Sequence, residues 1–513
     1  MSEDSSSYAP LAPPPKQPRL STFVPKIGRR GQGKVDKILD NVPTRIMNLE
    51  RLNEFGVTSL EDPSQPVKAG DVLIAAQPFV YVLSTSCRGS RCDSCFVRFD
   101  KKAGAVICDC KFAWFCSTKC QKTDTTHTEE CRLLQKCGKT PTSDISRYLL
   151  RALLKIKSGG LSEADLVPGC SEPRKFFHLV DHFDDILARC GHRKELIENI
   201  YTEILDFLGD EDAPEPDYFL SVYGRIAVNS FSIVDGSEQD SIGSGLYLGP
   251  SIFDHSCVPN AAATFMPDRT IVIRALEDSP DRNLGRFFIT YIDLLDHGFH
   301  RRDHLLTNYY FLCGCSRCSD PKSERDMYSI VCQKCGLPEV FVDSLDVVPE
   351  KLQCENCEEI FSSEDRENYV DICDIVKDKL NDVTVPLDVA NFCLTQMKRS
   401  GFGPFHIFVI QSTLWAFEGA IFMFEKSGII SRNNLELLRR AHEYGLILIE
   451  AYEKYRRPNQ VWPCQGLLLS KMSHIEKRLG IAGWEERLKK ADKILMISYG
   501  ENFVQEFKTL TLN

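Results

Sequence analysis

Hydrophobic and polar positions divide the chain into a region with many strand signals and a C-terminal region of helical periodicity. Between residues 66 and 84, the string PVKAGDVLIAAQPFVYVLS alternates turn residues with β-branched and aromatic ones, which predicts two short strands joined by a tight turn. The strings GLYLGPSIF, AAATFMP, TIVIRAL and RFFITYIDLL predict further strands. Apolar residues at helical spacing in SRYLLRALLKI and KFFHLVDHFDDILARC predict helices between these two groups of strands.

The last 150 residues carry apolar stripes at helical spacing. One stripe consists of Leu435, Leu438, Ala441, Leu448 and Tyr452, and the other of Trp484, Leu488, Ala491, Leu495 and Tyr499. Gly500 follows the second stripe and supplies a C-terminal stop. Such helices predict antiparallel pairs stacked in a solenoid-like array, although no clean repeat consensus is present.

Length and charge narrow the class of protein. A chain of 513 residues exceeds what one hydrophobic core supports, so two to four domains are expected. Residues 1–45 are rich in Ser, Pro, Lys and Arg, a composition that predicts a disordered tail. The net charge of −10 argues against sequence-blind binding to nucleic acid. No apolar run approaches the ~18 residues of a membrane span, so no membrane association is expected.

Cysteine is the unusual residue in the composition, with 22 copies. The first twenty residues contain no apolar segment of the kind found in secretory signals, so we expect a reducing compartment. In such a compartment, clustered cysteines with Cys-x-x-Cys spacing indicate zinc ligands rather than disulfides.

The first cysteine-dense block, residues 87–137, offers seven thiolates and one imidazole at metal-ligand spacing. Its predicted ligands are Cys92, Cys95, Cys108, Cys110, Cys116, Cys120, His127 and Cys131. Eight ligands suffice for two tetrahedral zinc sites, and full ligand sets leave no open position for catalysis. The zinc ions are therefore expected to be structural.

Two further cysteine groups follow. Cys313, Cys315 and Cys318 supply three ligands and need a distant fourth, for which Cys257 in DHSCVPN is the candidate. A zinc ribbon is predicted by Cys332, Cys335, Cys354 and Cys357. Together, the groups predict about four structural zinc ions.

The strings CDSC, CDCKFAWFCSTKCQ and HTEEC resemble the MYND zinc finger, a module that usually binds proline-rich peptides. One spacing departs from that pattern, because Cys108 and Cys110 are separated by a single residue. A backbone adjustment must then bring Cys108 to the metal, with Cys87 as the less favoured substitute. The strings DHSCVPN, FITYIDLL and NYYFLCGCSRC are similar to a SET domain. Their order is that of the SET and MYND (SMYD) family of lysine methyltransferases.

The resemblance implies an α+β protein, in which a SET β-fold is split by a MYND zinc finger. A post-SET zinc loop, a zinc-ribbon-like insert and a C-terminal helical, TPR-like domain complete it. The implied boundaries are 1–45 for the tail, 46–86 and 138–308 for the two parts of SET with its helical insert, 87–137 for the finger, 309–327 for the post-SET loop, 328–362 for the ribbon-like segment and 363–513 for the helical domain.

The resemblance also implies a reaction, the transfer of a methyl group from S-adenosylmethionine to a lysine of a histone tail or another protein. Tyr291 and Tyr309 match the tyrosines of the lysine channel, with Tyr310 as the rival of Tyr309. The residues that match cofactor contacts are His182, Asn229, Asp254, His255, Tyr291 and Phe311. A nuclear and cytoplasmic location, without membrane or sequence-specific nucleic-acid binding, is the corresponding expectation.

Three positions depart from the family pattern. Asp254 stands where the family has Asn, Gly285-Arg286-Phe287 replaces an acidic Gly-Glu-Glu turn, and the Gly-x-Gly motif before the first strand is absent. The leading hypothesis is a protein-lysine methyltransferase. The competing hypothesis is a catalytically weak adaptor that recruits protein partners in transcriptional regulation. A DNA-binding zinc regulator ranks last, because eight Lys and Arg against six Asp and Glu make the finger only weakly basic.

Overall fold

The protein is described by a computed structural model. The described residues are 65–100, 104–189, 194–209, 211–235, 241–342, 348–380, 386–427, 432–501 and 503–505. The tail predicted for residues 1–45 and the region of the missing Gly-x-Gly motif before residue 65 lie outside these ranges. The described part is a mixed α+β structure with small antiparallel sheets and a helical C-terminal region.

The strands form small antiparallel sheets. Their bounds are β1 Val72–Ala76, β2 Val80–Leu83, β3 Val106–Ile107, β4 Trp114–Phe115, β5 Ala164–Asp165, β6 Arg174–Lys175, β7 Ser230–Val234, β8 Ser241–Leu246, β9 Ala261–Phe265, β10 Ile271–Ala275, β11 Ser329–Ile330 and β12 Val340–Phe341. Two sheets have three strands, in the orders β1-β10-β9 and β2-β8-β7, and three further pairs are two-stranded.

The strand predictions are confirmed in part. AAATFMP and TIVIRAL contain β9 and β10, which pair with each other. The tight turn predicted between the first two strands does not make them a hairpin, because β1 pairs with β10 and β2 pairs with β8. The strand predicted in RFFITYIDLL is wrong. That segment is irregular, and one isolated parallel bridge joins Ile289 to His255.

The helices occupy the finger, the region between the sheets and the C-terminal third. Their bounds are α1 Thr118–Thr123, α2 Thr125–Cys137, α3 Asp144–Lys157, α4 Phe183–Arg189, α5 Lys194–Leu208, α6 Pro216–Asn229, α7 Gly298–Tyr309, α8 Ser363–Leu380, α9 Leu387–Arg399, α10 Ile407–Ser427, α11 Arg432–Tyr455, α12 Pro463–Leu479 and α13 Trp484–Ser498.

Helix α3 is the predicted SRYLLRALLKI helix and is buried along most of its length. The Ser143 hydroxyl caps it by accepting from the Ser146 N–H. Its apolar side packs against β2. The helix predicted in KFFHLVDHFDDILARC is shorter than expected and begins at Phe183, because His182 before it adopts a left-handed φ of 49°.

The C-terminal helices α8 to α13 pack mostly against their neighbours in sequence. Residues of both predicted stripes lie in the contacts between these helices. Leu438, Ala441 and Leu448 of α11 and Ala491 of α13 are fully buried. Gly500 has the predicted terminating conformation, with φ 87°, and its N–H reaches back to carbonyls of the last turn of α13.

The expectation that no apolar run is long enough for a membrane span is wrong for helix α10. Its segment Ile407–Lys426 is long and apolar enough by length and composition, with a mean hydropathy of 1.6. Ile407, Ile410, Phe417 and Ala420 are buried in the core shared by the C-terminal helices. Packing thus accounts for one face of α10, while Leu414, Phe422 and Met423 of the same helix are exposed.

Candidate functional site

The sixteen predicted metal ligands lie in four groups, and within each group the ligand atoms are all within 4.8 Å of one another. The groups are Cys92, Cys95, Cys116 and Cys120; Cys108, Cys110, His127 and Cys131; Cys257, Cys313, Cys315 and Cys318; and Cys332, Cys335, Cys354 and Cys357. Sulfur pairs in these groups are 3.3–3.9 Å apart. Tetrahedral zinc with bonds of ~2.3 Å would separate its sulfurs by about 3.8 Å. The four clusters are therefore consistent with four zinc sites.

In residues 87–137 the four ligand pairs alternate between two clusters, so that the first and third pairs form one cluster and the second and fourth pairs form the other. The spacing alone left this choice open. The shortened Cys108–Cys110 pair still serves one cluster, because the Lys111 N–H bonds to the Cys108 carbonyl at 2.7 Å in a turn with a left-handed φ of 59° at Lys111. The Cys108 sulfur lies 3.3 Å from that of Cys131. The predicted backbone adjustment is present, and Cys87 lies outside the four groups.

Buried charges connect the second cluster to helix α3. His127 Nδ1 lies 2.6 Å from Glu130, whose carboxylate also pairs with Arg147 Nε at 2.7 Å and Arg151 Nη1 at 2.8 Å. Burial alone would raise the pKa of Glu130, but the two guanidinium groups hold it well below its usual range. A carboxylate on the second nitrogen of a ligating histidine fixes the ring for metal binding. The cluster and helix α3 thus share one ionic network.

The third cluster joins two segments that are 56 residues apart. The Cys257 sulfur lies 3.9 Å from that of Cys313 and 3.5 Å from that of Cys318, as the long-range closure requires. Arg301 of α7 donates from Nε to the Cys257 sulfur at 3.4 Å and pairs with Glu324 at 2.8 Å. The side chain of Arg301 is 1% exposed. It therefore presents a buried positive charge to a set of sulfur ligands.

The two predicted tyrosines lie against this cluster. Their ring centroids are 4.9 Å apart, and both rings belong to the apolar group that contains Cys257 and Cys313. The Tyr291 hydroxyl donates to the Phe253 carbonyl at 2.6 Å. Burial, followed by the charge of Asp254, raises the pKa of Tyr291, so its hydroxyl stays protonated. Its oxygen keeps lone pairs that can accept a hydrogen bond.

His255 holds the Tyr291 segment to the third cluster. Its Nδ1 accepts from the Tyr291 N–H at 3.1 Å, and its Nε2 lies 3.3 Å from the Cys257 sulfur. The Phe311 ring lies 6.1 Å from the His255 ring, and both side chains line a cleft of about 450 Å³. Other lining residues include Ser256, Asn260, Glu277, Arg286, Phe288, Cys313, Cys315 and Arg457. This volume falls within the range of small-molecule sites.

The remaining predicted cofactor residues do not line that cleft. The Asn229 side-chain amide donates to the Val180 carbonyl at 2.7 Å and to the Arg225 carbonyl at 2.9 Å. His182 bonds through Nδ1 to Asp185 at 2.9 Å, and its ring lies 5.2 Å from Tyr310. The structure therefore brings His255 and Phe311 to the cleft and leaves His182 and Asn229 out of its lining.

Asp254 lies at the surface. Its carbonyl accepts from the Ile289 N–H at 3.0 Å, and its side chain is exposed. Its charge acts on Tyr291 and on Arg174 of β6, a residue that the sequence did not single out. Arg174 and Arg301 were missed because neither belongs to a motif and each meets its partners through distant segments.

Comparisons with known proteins found similar chains among curated lysine methyltransferases. Human histone-lysine N-methyltransferase SMYD3 is 30% identical over 271 residues, which cover 51% of this chain and 59% of the relative. Pig N-lysine methyltransferase SMYD2 is 29% identical over 266 residues, covering 51% and 58% of the two chains. Xenopus laevis N-lysine methyltransferase SMYD2-A is 28% identical over 281 residues, covering 54% and 62%. No protein-family model matches the chain.

The chain thus spans about three fifths of the length of the curated relatives it matches. The matches combine with four cysteine-rich clusters in one mixed α+β structure. The chain is therefore a homologue of the SMYD proteins, related to SMYD2 and SMYD3 at about 30% identity over half of its length.

Proposed function

We propose that the protein is a protein-lysine N-methyltransferase that uses S-adenosylmethionine. The observation that carries the proposal is the Tyr291–Tyr309 ring pair, held beside the cleft by the Cys257 cluster and His255. Homology to SMYD2 and SMYD3, whose names describe lysine methyltransferases, supports the same reaction. The substrate class we propose is a lysine on a histone tail or on another protein.

The aromatic residues suit the handling of a lysine amine. The Tyr291 hydroxyl donates its proton to the Phe253 carbonyl, so its oxygen is free to accept an amine N–H and direct the nitrogen lone pair. The Tyr309 ring is buried against it and excludes water from one side. We assign the Tyr309 hydroxyl a second hydrogen bond to the amine, so that both tyrosine hydroxyls align it. Alignment of the amine against the methyl donor is the main contribution expected of the protein.

S-adenosylmethionine, when bound, supplies an electrophilic methyl group on a sulfonium. His255 and Phe311 suit its adenosyl part, because an aromatic face and an imidazole edge line a cleft of adequate volume. The zinc ions would hold the walls and take no part in the chemistry, since every cluster offers four protein ligands.

The proposed architecture follows the sequence expectation. It is a SET fold split by a MYND finger, with a post-SET loop at Cys313–Cys318, a ribbon-like segment at Cys332–Cys357 and a TPR-like helical domain. A proline-rich peptide is the proposed ligand of the finger.

A second function, that of a catalytically weak adaptor, rests on Asp254 and Arg286. Asp254 offers acceptors where an asparagine would also donate, and Arg286 puts a positive charge at the cleft. Both features alter contacts that the reaction would use, while the finger and helices would still recruit partners.

The test is methyl transfer by the purified, zinc-loaded full chain. Labelled S-adenosylmethionine and a histone mixture are incubated with the wild-type protein and with Tyr309→Phe, and modified lysines are located by mass spectrometry. The proposal expects labelled lysine with the wild type and a large reduction with the variant. Cofactor binding without transfer to histones or to a cell-extract protein mixture would favour the adaptor.

A further inference from the structure

The ribbon-like segment exposes two large aliphatic side chains. Leu337 is 44% exposed and Ile360 is 67% exposed. Each adjoins one of the two cysteine turns of the fourth cluster. The Cys332 N–H donates to the Leu337 carbonyl at 2.8 Å, and the Cys354 N–H donates at 2.9 Å to the carbonyl of Glu359, which precedes Ile360. The metal ligands thus fix a scaffold that presents both aliphatic groups to solvent.

The ribbon-like segment is also strongly acidic. Residues 328–362 contain seven Asp and Glu against two Lys and Arg. Lys334 pairs with Glu359 at 2.7 Å. Within the described residues, the exposed carboxylates of Glu350 and Glu358 make neither a hydrogen bond nor an ion pair. The surface therefore fits a partner that is basic and carries apolar side chains.

The chain itself contains such a segment outside the described residues. Residues 16–38, the basic segment, contain seven Lys and Arg against one Asp. Its large apolar side chains are Leu20, Phe23, Val24 and Ile27. Residues 39–64 join it to the described part and can span at most about 90 Å. This tether raises the concentration of the basic segment at the ribbon above that of a free peptide.

We propose that the basic segment docks on the ribbon-like segment of its own chain. Its lysine and arginine side chains face the exposed glutamates, and its apolar side chains cover Leu337 and Ile360. Opposite charge attracts the segment, and removal of the two aliphatic groups from water adds to the attraction. The contact needs no methyl donor, so it is independent of the proposed function. Docked there, the tail competes with any other basic partner of the ribbon.

The test is carbodiimide cross-linking of the zinc-loaded full chain at low salt, which joins lysine amines to carboxylates that they contact. A mixture of isotope-labelled and unlabelled chains distinguishes links within a chain from links between chains. We expect within-chain links from the basic segment to glutamates of the ribbon. Leu337→Ser combined with Ile360→Ser is expected to reduce them about threefold to tenfold. Phe392→Ser, at a residue of α9 that is 53% exposed, is the matched control and leaves them unchanged.

A variant of the tail carries the same comparison without any change in the ribbon. Phe23→Ser combined with Ile27→Ser is expected to reduce the links by a similar factor, and it decides the matter if the ribbon variant loses zinc. Links spread evenly over the ribbon and the exposed Glu485 and Glu486 of α13 would overturn the docking. Links only between chains would assign the segment to a second copy, and absence of links would leave the ribbon to another basic protein. Both results contradict the contact within one chain.

Discussion

The rings of Tyr291 and Tyr309 lie 4.9 Å apart between centroids and are inclined by 40°. Eighteen positions separate them in the chain, and Tyr309 is the last residue of helix α7. The pair depends on the third cysteine cluster, because Cys257 and Cys313 belong to the same buried group as both rings. The arrangement of the proposed lysine site is thus tied to the ligands of one metal site.

Removing the Tyr309 hydroxyl is expected to reduce turnover by about 100-fold, the usual cost of losing one positioned polar group at a reacting centre. The ring and its packing are retained, so affinity for S-adenosylmethionine is expected to change little. Tyr310→Phe is the matched control, since Tyr310 lies against His182 instead. The measurement is turnover at saturating cofactor for both variants. A larger loss with Tyr310→Phe than with Tyr309→Phe would show that Tyr310, not Tyr309, aligns the amine.

Cys257→Ser is expected to release about one of four zinc ions, because serine is a poor replacement for a thiolate. Binding of S-adenosylmethionine is expected to fall with it, since His255 and Tyr291 lose the anchor of their segment. Zinc is counted by mass spectrometry of the native protein. Cys170→Ser, an exposed thiol outside the clusters, is the control. Four retained zinc ions in Cys257→Ser would remove Cys257 from the ligand set.

Glu130→Gln is expected to destabilise the protein by about 1–3 kcal/mol. It removes the anion that two buried guanidinium groups share, while Arg147 keeps Asp93 and Arg151 keeps Asp124 as ion-pair partners. The free energy of unfolding is measured in urea. Glu129→Gln serves as the control, since Glu129 pairs with Arg132 at the surface and such pairs contribute ~0–1 kcal/mol. Equal stability of the two variants would contradict the network as a link between finger and helix α3.

Stability is expected to decrease in mild acid because of His406. Its Nδ1 accepts from the Phe408 N–H and its Nε2 bonds to Tyr369, so a neutral ring fits. Burial, followed by the charge of His297, lowers the pKa of His406 to about 3. A histidine in the unfolded chain has a pKa of ~6.5, so this contribution is complete above pH ~6.5 and decreases by up to about 1.4 kcal/mol per unit below it.

The measurement is the free energy of unfolding at a series of pH values for the wild type and His406→Gln. The variant is expected to show a shallower decrease between pH 6.5 and 5.5, with His178→Gln, at an exposed histidine, unchanged from the wild type. His297, whose pKa is lowered to about 4 mainly by burial, acts in the same direction in both proteins. Identical slopes in His406→Gln and the wild type would exclude His406 as the cause.

The sequence predicted the ligand sets because thiolate spacing is local and its chemistry is specific. Even the distant Cys257 followed from a trio that lacked a fourth ligand. The interleaved pairing in the finger was left open, since four ligand pairs can combine in several ways. The separation of β1 and β2 into different sheets, and the positions of Arg174 and Arg301, depend on contacts between distant segments. The spacing of apolar and polar residues along the chain does not predict such contacts between distant segments.

The apolar content of α10 shows a different limit. A buried helix in a helical array and a membrane-spanning helix share length and composition, so only packing separates them. The irregular RFFITYIDLL segment was predicted as a strand because β-branched and aromatic residues dominate it. In the structure its apolar side chains fill the core, while its backbone makes one bridge to His255 in place of a ladder.

The most direct test of the central claim is a calorimetric titration of the zinc-loaded full chain with S-adenosylmethionine, repeated with Cys257→Ser. The account predicts one bound molecule per wild-type chain and greatly weakened binding in the variant. Absence of binding to the wild-type chain would contradict the claim that the cleft beside the third cluster accepts the methyl donor.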